Sequence, residues 1–238
     1  MELTPDNIIY AQWNWVTINA TLVYTWVAMA VLVIGSWLAT RRLLLTGNAT
    51  RGQTFMETIV SMISAQIAEI TQQKPGQFLP FIGTLFLFIA TANLLGVVPG
   101  YHSPTGSLST TAALAFCVFI AVPLFGIHKL GVTTYLRQYI QPSVFMLPFN
   151  IIGELSRTLA LAVRLFGNVM SGQMIVAILL AIVPLFFPIV MQLMGMLVGL
   201  IQAYIFAVLA TVYIASATSV IQSKEDRNST GSDKIGHG

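Results

Sequence analysis

Charge is what this sequence has least of. Only 8% of its 238 residues are Asp, Glu, Lys or Arg, eleven of them basic and eight acidic. A soluble domain carries about 25%, because a wetted surface needs those groups. The mean hydropathy of +0.81 points the same way. Soluble enzymes are thereby excluded, and the chain reads as an all-α integral membrane protein. The net charge of +3 is too small to argue for a nucleic-acid partner. Cysteine is nearly absent as well. Cys117 stands alone in an apolar run, so an internal disulfide is excluded. The three histidines, His102, His128 and His237, have no neighbouring carboxylate and no metal-ligand spacing, so neither a metal nor a cofactor is expected. The N-terminus lacks a basic start: Glu2 and Asp6 precede any base, which is the wrong sign for a secretory signal. The first apolar run is therefore read as a retained span.

What the chain does have is long apolar runs. Residues 15–38 reach the roughly 20 needed to cross about 30 Å of hydrocarbon. Arg41, Arg42 and Arg51 follow and mark the cytoplasmic end, which puts residues 1–14 outside, with Trp13 and Trp15 as interface anchors. Segment 53–72 is different. Phe55, Ile59, Met62, Ile63, Ile67 and Ile70 recur at helical spacing among Glu57, Ser61, Gln66 and Glu69, the pattern of an amphipathic helix lying along the interface. Residues 78–127 read as a helix pair. Pro99–Gly100 closes the outer loop, which carries no Lys or Arg, and His128, Lys129 and Arg137 mark the inside again. Residues 143–221 hold two runs separated at Pro184–Pro188, each far longer than the bilayer is thick. They are expected to form a steeply tilted antiparallel hairpin. The polar tail 222–238 is expected to be flexible and cytoplasmic. The fold expectation is thus about five membrane-embedded helices plus one interfacial helix, forming a single membrane domain.

One residue is out of place in this pattern. Arg164 lies in LALAVRLFGNVM, with Arg157 the nearest charge before it and Lys224 the nearest after it. A guanidinium near the bilayer centre costs about 2.5–3.5 kcal/mol even on the lenient insertion scale. It cannot shed its proton. It therefore snorkels to a helix end, meets water, or meets a counter-charge from elsewhere, and its mid-run position argues against the first. Ala160, Gly167, Asn168, Ser171 and Gly172 share or flank its face and would admit a partner helix closely. Ordinary helix packing explains such small residues equally well. Asn93, Gln173 and Gln202 are the other intramembrane polar residues, individually interhelical hydrogen-bond donors and collectively the lining of a hydrated path. Glu154 and Arg157, three residues apart, are expected to pair at the interface.

The segments ELSRTLALAVRLFGNVMSGQ and IQAYIFAVLATVYIASA resemble subunit a of the proton-translocating rotary ATP synthase. The elements NLLGVVPG and STTAALA match that family's middle helix pair more loosely. The resemblance implies a membrane stator that delivers ions through two half-channels to carboxylates on a ring of c subunits. It also implies a b-subunit peripheral stalk and the remaining ATP synthase subunits as partners. It gives Arg164 the role of stator arginine, puts Gln202 near it, and assigns Asn168, Arg157 and Asn93 to the half-channels. Gln173, with Gly195 as its usual partner position, and Ser107 stand where relatives carry titratable groups. That substitution leaves the ion, proton or sodium, open. The chain has no P-loop, so ATP chemistry belongs to other subunits. The implied location is the cell inner membrane, or alternatively the thylakoid membrane. The competing readings are a stand-alone transporter or channel, which would need a site within one chain, and a non-transporting scaffold.

Overall fold

The computed structural model describes residues 9–13, 16–40, 51–71, 75–98, 101–132, 146–183 and 187–219. The tail 222–238, Arg41, Arg42, Trp15 and the Pro99–Gly100 pair lie outside the described residues.

The chain opens with a small antiparallel hairpin, β1 (Ile9–Trp13) and β2 (Val16–Asn19), in which Trp13 pairs with Val16. This corrects the expected start of the first span. The β-branched run Val16–Thr17–Ile18 favours an extended backbone over a helix. The first helix, α1 (Ala20–Thr40), therefore begins five residues later than hydropathy alone suggests.

Every other described element is helical. α2 (Arg51–Thr71) is the amphipathic segment. Ile67 is buried while Glu57 and Glu69 are exposed, although Met62, expected on the apolar face, is 63% exposed. α3 (Leu79–Leu95) starts on Pro80, which is suited to a first turn where no backbone N–H is needed. Its 17 residues rise about 26 Å, short of a full span. α4 (Leu108–Leu130) ends at Gly131, whose φ of +76° suits a residue without a Cβ. α5 (Met146–Ile182) and α6 (Phe187–Ser219) have 37 and 33 residues, about 55 and 50 Å of rise. Each is longer than about 30 Å of hydrocarbon is thick, an excess that tilt or kinking accommodates. By length and apolarity α1, α4, α5 and α6 can each cross a membrane.

α6 is the centre of the bundle and packs against α2, α3, α4 and α5. Its small residues make this possible. Ala203, Phe206 and Ala210 meet Leu85, Ile89 and Ala90 of α3, Ala115 and Val118 of α4, and Leu161, Ala162 and Leu165 of α5 in one apolar cluster. A second cluster joins Ala207 and Ile214 to Ile67 of α2, Phe78, Ile82 and Val122. α5 lies at the periphery: its buried residues are Leu161, Ala162 and Leu165, whereas α6 buries residues along its whole second half, from Gly199 to Ile214.

α6 approaches α3 closely at Gly199. A Cβ there would stand 3.0 Å from Asn93 Cβ and 3.1 Å from Asn93 Cγ on α3. The space around Gly195, one turn earlier, is open. Gly199→Ala is expected to lower the stability of the assembled subunit by about 1–3 kcal/mol, whereas Gly195→Ala is expected to be neutral. Thermal unfolding of the purified complex checks this contrast, and equal effects at both positions would contradict the packing described.

Candidate functional site

Arg164 stands at the midpoint of α5, eighteen residues from either end. Helical periodicity turns its neighbour Leu165 into the core, where it is fully buried, and leaves Arg164 exposed on the outer face. Among the described residues the guanidinium has no ion-pair or hydrogen-bond partner. The closest acid on its own helix, Glu154, is ten residues and about 15 Å of rise away. Its surroundings are apolar, with Leu159 64% and Val163 52% exposed. Ala160, Gly167 and Ser171 share the exposed face. A Cβ added at Gly167 would meet nothing within 4 Å, so this small residue serves no packing inside the chain. Asn168, one turn on, is half-buried, and its carbonyl accepts from the Ser171 hydroxyl at 3.1 Å.

Gln202 is placed differently. It is 7% exposed and lies on the inward face of α6, where Nε2 is buried with no partner among the described residues. Its neighbour Ala203 shares the cluster with Leu165, which sets Gln202 and Arg164 near one level of the hairpin. They occupy different faces: one looks into the bundle, the other out of it.

A buried polar nest lies between α3, the loop before α4, and α6. Asn93, 8% exposed, donates from Nδ2 to the Gly199 carbonyl at 2.9 Å. Its Oδ1 accepts from the Thr105 hydroxyl at 2.9 Å, and Thr105 lies 2.6 Å from Ser103 Oγ. Ser107 is fully buried and bonds Ser109 at 2.6 Å. Gln173 of α5 reaches the same place, with Oε1 3.1 Å from where a Gly106 Cβ would be. Gln192 ties α6 to the end of α3 by donating to the Gly96 and Val97 carbonyls at 3.0 and 3.1 Å. Beside the nest, burial pushes the Tyr101 phenol up to about 12, with Tyr24 adding to the effect.

Glu154 and Arg157 lie at the other end of the bundle. They line a cleft with Thr158, Tyr213, Ser216 and Val118. The contact Arg157 makes is with Tyr213, the guanidinium carbon standing 5.8 Å from the ring centroid. That cation–π contact ties the Arg157 guanidinium to α6.

The residues singled out in sequence therefore fall into three places. Asn93, Ser107 and Gln173 gather in or beside the buried nest, and Gln202 is buried on the inward face of α6. Arg164 and Asn168 sit on the exposed mid-face, and Glu154 and Arg157 in the opposite cleft. Ser103, Thr105, Gln192 and Tyr213 were missed. Gln192 carried the same signal as Gln202, an amide within an apolar run. Ser103 and Thr105 carried none, because hydroxyls are ordinary in loops.

A family model described as ATP synthase A chain matches residues 22–215. ATP synthase subunit a 1 of Crocosphaera subtropica is 60% identical over 224 residues, 94% of this chain and 97% of that protein. ATP synthase subunit a 2 of Acaryochloris marina is 58% identical over 238 residues, the whole of both chains. ATP synthase subunit a of Albidiferax ferrireducens is 58% identical over 218 residues, 92% of this chain and 94% of that protein.

Tyr213→Phe keeps the ring face and is expected to keep the Arg157 contact, while Tyr213→Leu loses it. A double-mutant cycle of Tyr213→Leu with Arg157→Ala is expected to give a coupling of about 0.5–1 kcal/mol. Strict additivity would show that the contact contributes nothing.

Proposed function

This chain belongs to the ATP synthase A chain family, and from that premise we propose that it is the ion-conducting stator, with Arg164 facing the carboxylates of a rotating c-subunit ring. Family membership makes it a membrane subunit of ATP synthase with a role in ion translocation. It is not an enzyme itself, ATP chemistry being carried out by other subunits. That is the role of one part in a larger machine, not of a stand-alone transporter.

The observation that carries the finer reading is the outward, unpartnered guanidinium at mid-helix, flanked by small residues with open space above them. A neutral rotor carboxylate is the form that tolerates lipid, since burying its charge is costly. Opposite a cation at about 4 Å, the ionised form is favoured by on the order of 4 kcal/mol at an effective dielectric near 20. The carboxylate therefore releases its proton as it reaches Arg164 and takes up another after passing it. Arg164 also stops a cation from crossing directly between the two half-channels, by repulsion. Each charge moved through 100 mV supplies roughly 2.3 kcal/mol to bias rotation.

On this reading the nest around Asn93, Ser107 and Gln173, together with Gln202, borders the outer half-channel, and the cleft of Glu154 and Arg157 the inner one. Asn168 borders the passage between them. The N-terminus is then outside and the C-terminus cytoplasmic, in an inner membrane or alternatively a thylakoid. α2 lies along the cytoplasmic interface, where a b-subunit stalk would attach. The ion itself is chosen mainly at the ring carboxylate.

Arg164→Ala is expected to leave the complex assembled and ATP hydrolysis by its soluble sector intact. ATP synthesis driven by an imposed ion gradient is expected to fall below detection. Reconstituted vesicles provide the measurement. Synthesis at the unmodified rate would overturn the proposal, as would a complex that becomes more stable with Leu at this position and still couples.

A further inference from the structure

α3 stops early and leaves backbone carbonyls open at its end. Its 17 residues reach about 26 Å, and the loop that follows turns inward, with Ser103, Thr105 and Ser107 buried. Three tight bonds close the last turn. Gly96 donates to the Asn93 carbonyl at 3.1 Å, Val97 to Leu94 at 3.2 Å and Val98 to Leu95 at 3.0 Å. The next two carbonyls, of Gly96 and Val97, receive no backbone N–H among the described residues. Pro99, three residues after Gly96, has none to give. A helix end without partners is costly where water is scarce.

Gln192 of α6 supplies the partners. Its Nε2 donates to the Gly96 carbonyl at 3.0 Å and to the Val97 carbonyl at 3.1 Å. An amide nitrogen has two hydrogens, and both are used. α3 is thus capped by a side chain from another helix. Seven residues along α6, close to two turns, the tie runs the other way: Asn93 of α3 donates to the Gly199 carbonyl at 2.9 Å. Gly199 lacks the Cβ that would strike Asn93. Thr105 donates to Asn93 Oδ1 and Ser103 Oγ lies 2.6 Å from the Thr105 hydroxyl, a clamp that fixes which way the Asn93 amide faces. One tie would let α6 pivot. Two, about 10 Å apart along the axis, fix both its height and its rotation against α3.

α5 inherits that register. Ala203 and Phe206, on the next turns of α6, pack on Leu161, Ala162 and Leu165 of α5, and the inward Leu165 is what turns Arg164 outward. Building on the stator reading above, we infer that Gln192 is a positioning residue: by closing the open end of α3 it sets the register at which α6 holds α5 and presents Arg164. Gln192 passes no ion itself, since both its amide hydrogens are committed to backbone carbonyls.

The test is a series of substitutions at this position in the whole complex, read as gradient-driven ATP synthesis in vesicles and as thermal unfolding of the purified complex. Gln192→Lys keeps donors for the two carbonyls, as basic side chains at helix C-termini do. Gln192→Met keeps the bulk without donors. Gln192→Glu keeps the shape but, when ionised, sets an acceptor against acceptors. The expected order in both readouts is the unmodified chain, then Lys, then Met, then Glu. Met is expected to synthesise roughly tenfold more slowly, the size of one lost hydrogen bond, and Lys to restore most of that loss. A Glu variant as active as the unmodified chain overturns the inference, since a relay would tolerate an acid and a cap would not. So does Met equal to the unmodified chain, as a space-filling role requires, and so does Lys no better than Met. Where a variant fails to assemble, the yield of assembled complex is read in the same order. Coupling in Arg164→Ala would overturn the stator reading instead and leave the unfolding order, which needs no rotor, intact.

Discussion

The arrangement depends on one uncompensated cation on an apolar surface. Arg164 cannot be neutralised by losing its proton, and no acid among the described residues reaches it. A lone protein chain gains nothing from such a charge, which costs a few kcal/mol in hydrocarbon. On the proposed reading, the cost is offset when an opposite charge arrives from outside the chain. α5 is held by a buried strip that includes Leu161, Ala162 and Leu165, and it leaves its outer face, with Arg164, exposed. α6 takes the structural burden, with Ala203, Ala207 and Ala210 allowing four other helices to approach.

The two polar regions differ in chemistry. The nest at the α3–α4 loop is built from amides and hydroxyls that are largely satisfied by one another, with the rings of Tyr101 and His102 at its edge. The cleft at the far end holds a carboxylate and a guanidinium, the latter resting on Tyr213. A neutral environment at one end and a charged one at the other fits a device in which two passages must not behave as one. Separation along the helix matters as much as chemistry. Glu154 and Arg164 are about 15 Å apart in rise, well beyond contact.

Much of this was legible in the sequence. Charge scarcity, run length and the basic flanks gave a multi-helix membrane protein, and the isolation of Arg164 in its apolar run marked the residue most out of place. What sequence could not give was direction. Periodicity put Asn168 and Gly167 on the Arg164 face, but nothing in the residue string tells that Gln202 looks into the bundle while Arg164 looks out. Hydropathy also placed the first helix too early, because Val16 and Ile18 are as apolar in a strand as in a helix. The pairing of Glu154 with Arg157 was expected from spacing alone. A ring on α6, 56 residues further along, was beyond any local rule. The clamp through Ser103 and Thr105 was invisible for the same reason: hydroxyls in a loop become informative only when they are buried.

The central claim is electrostatic, and infrared spectroscopy reads it directly. In the intact complex carrying isotope-labelled c subunits, the labelled ring carboxyls can be sorted into protonated and ionised forms. With Arg164 present, a minor population is expected to be ionised, and Arg164→Gln is expected to convert that population to the protonated form without loss of assembly. A complex whose ring carboxyls are all protonated beside the unmodified Arg164, or whose ionised fraction is unchanged by the substitution, would contradict the account.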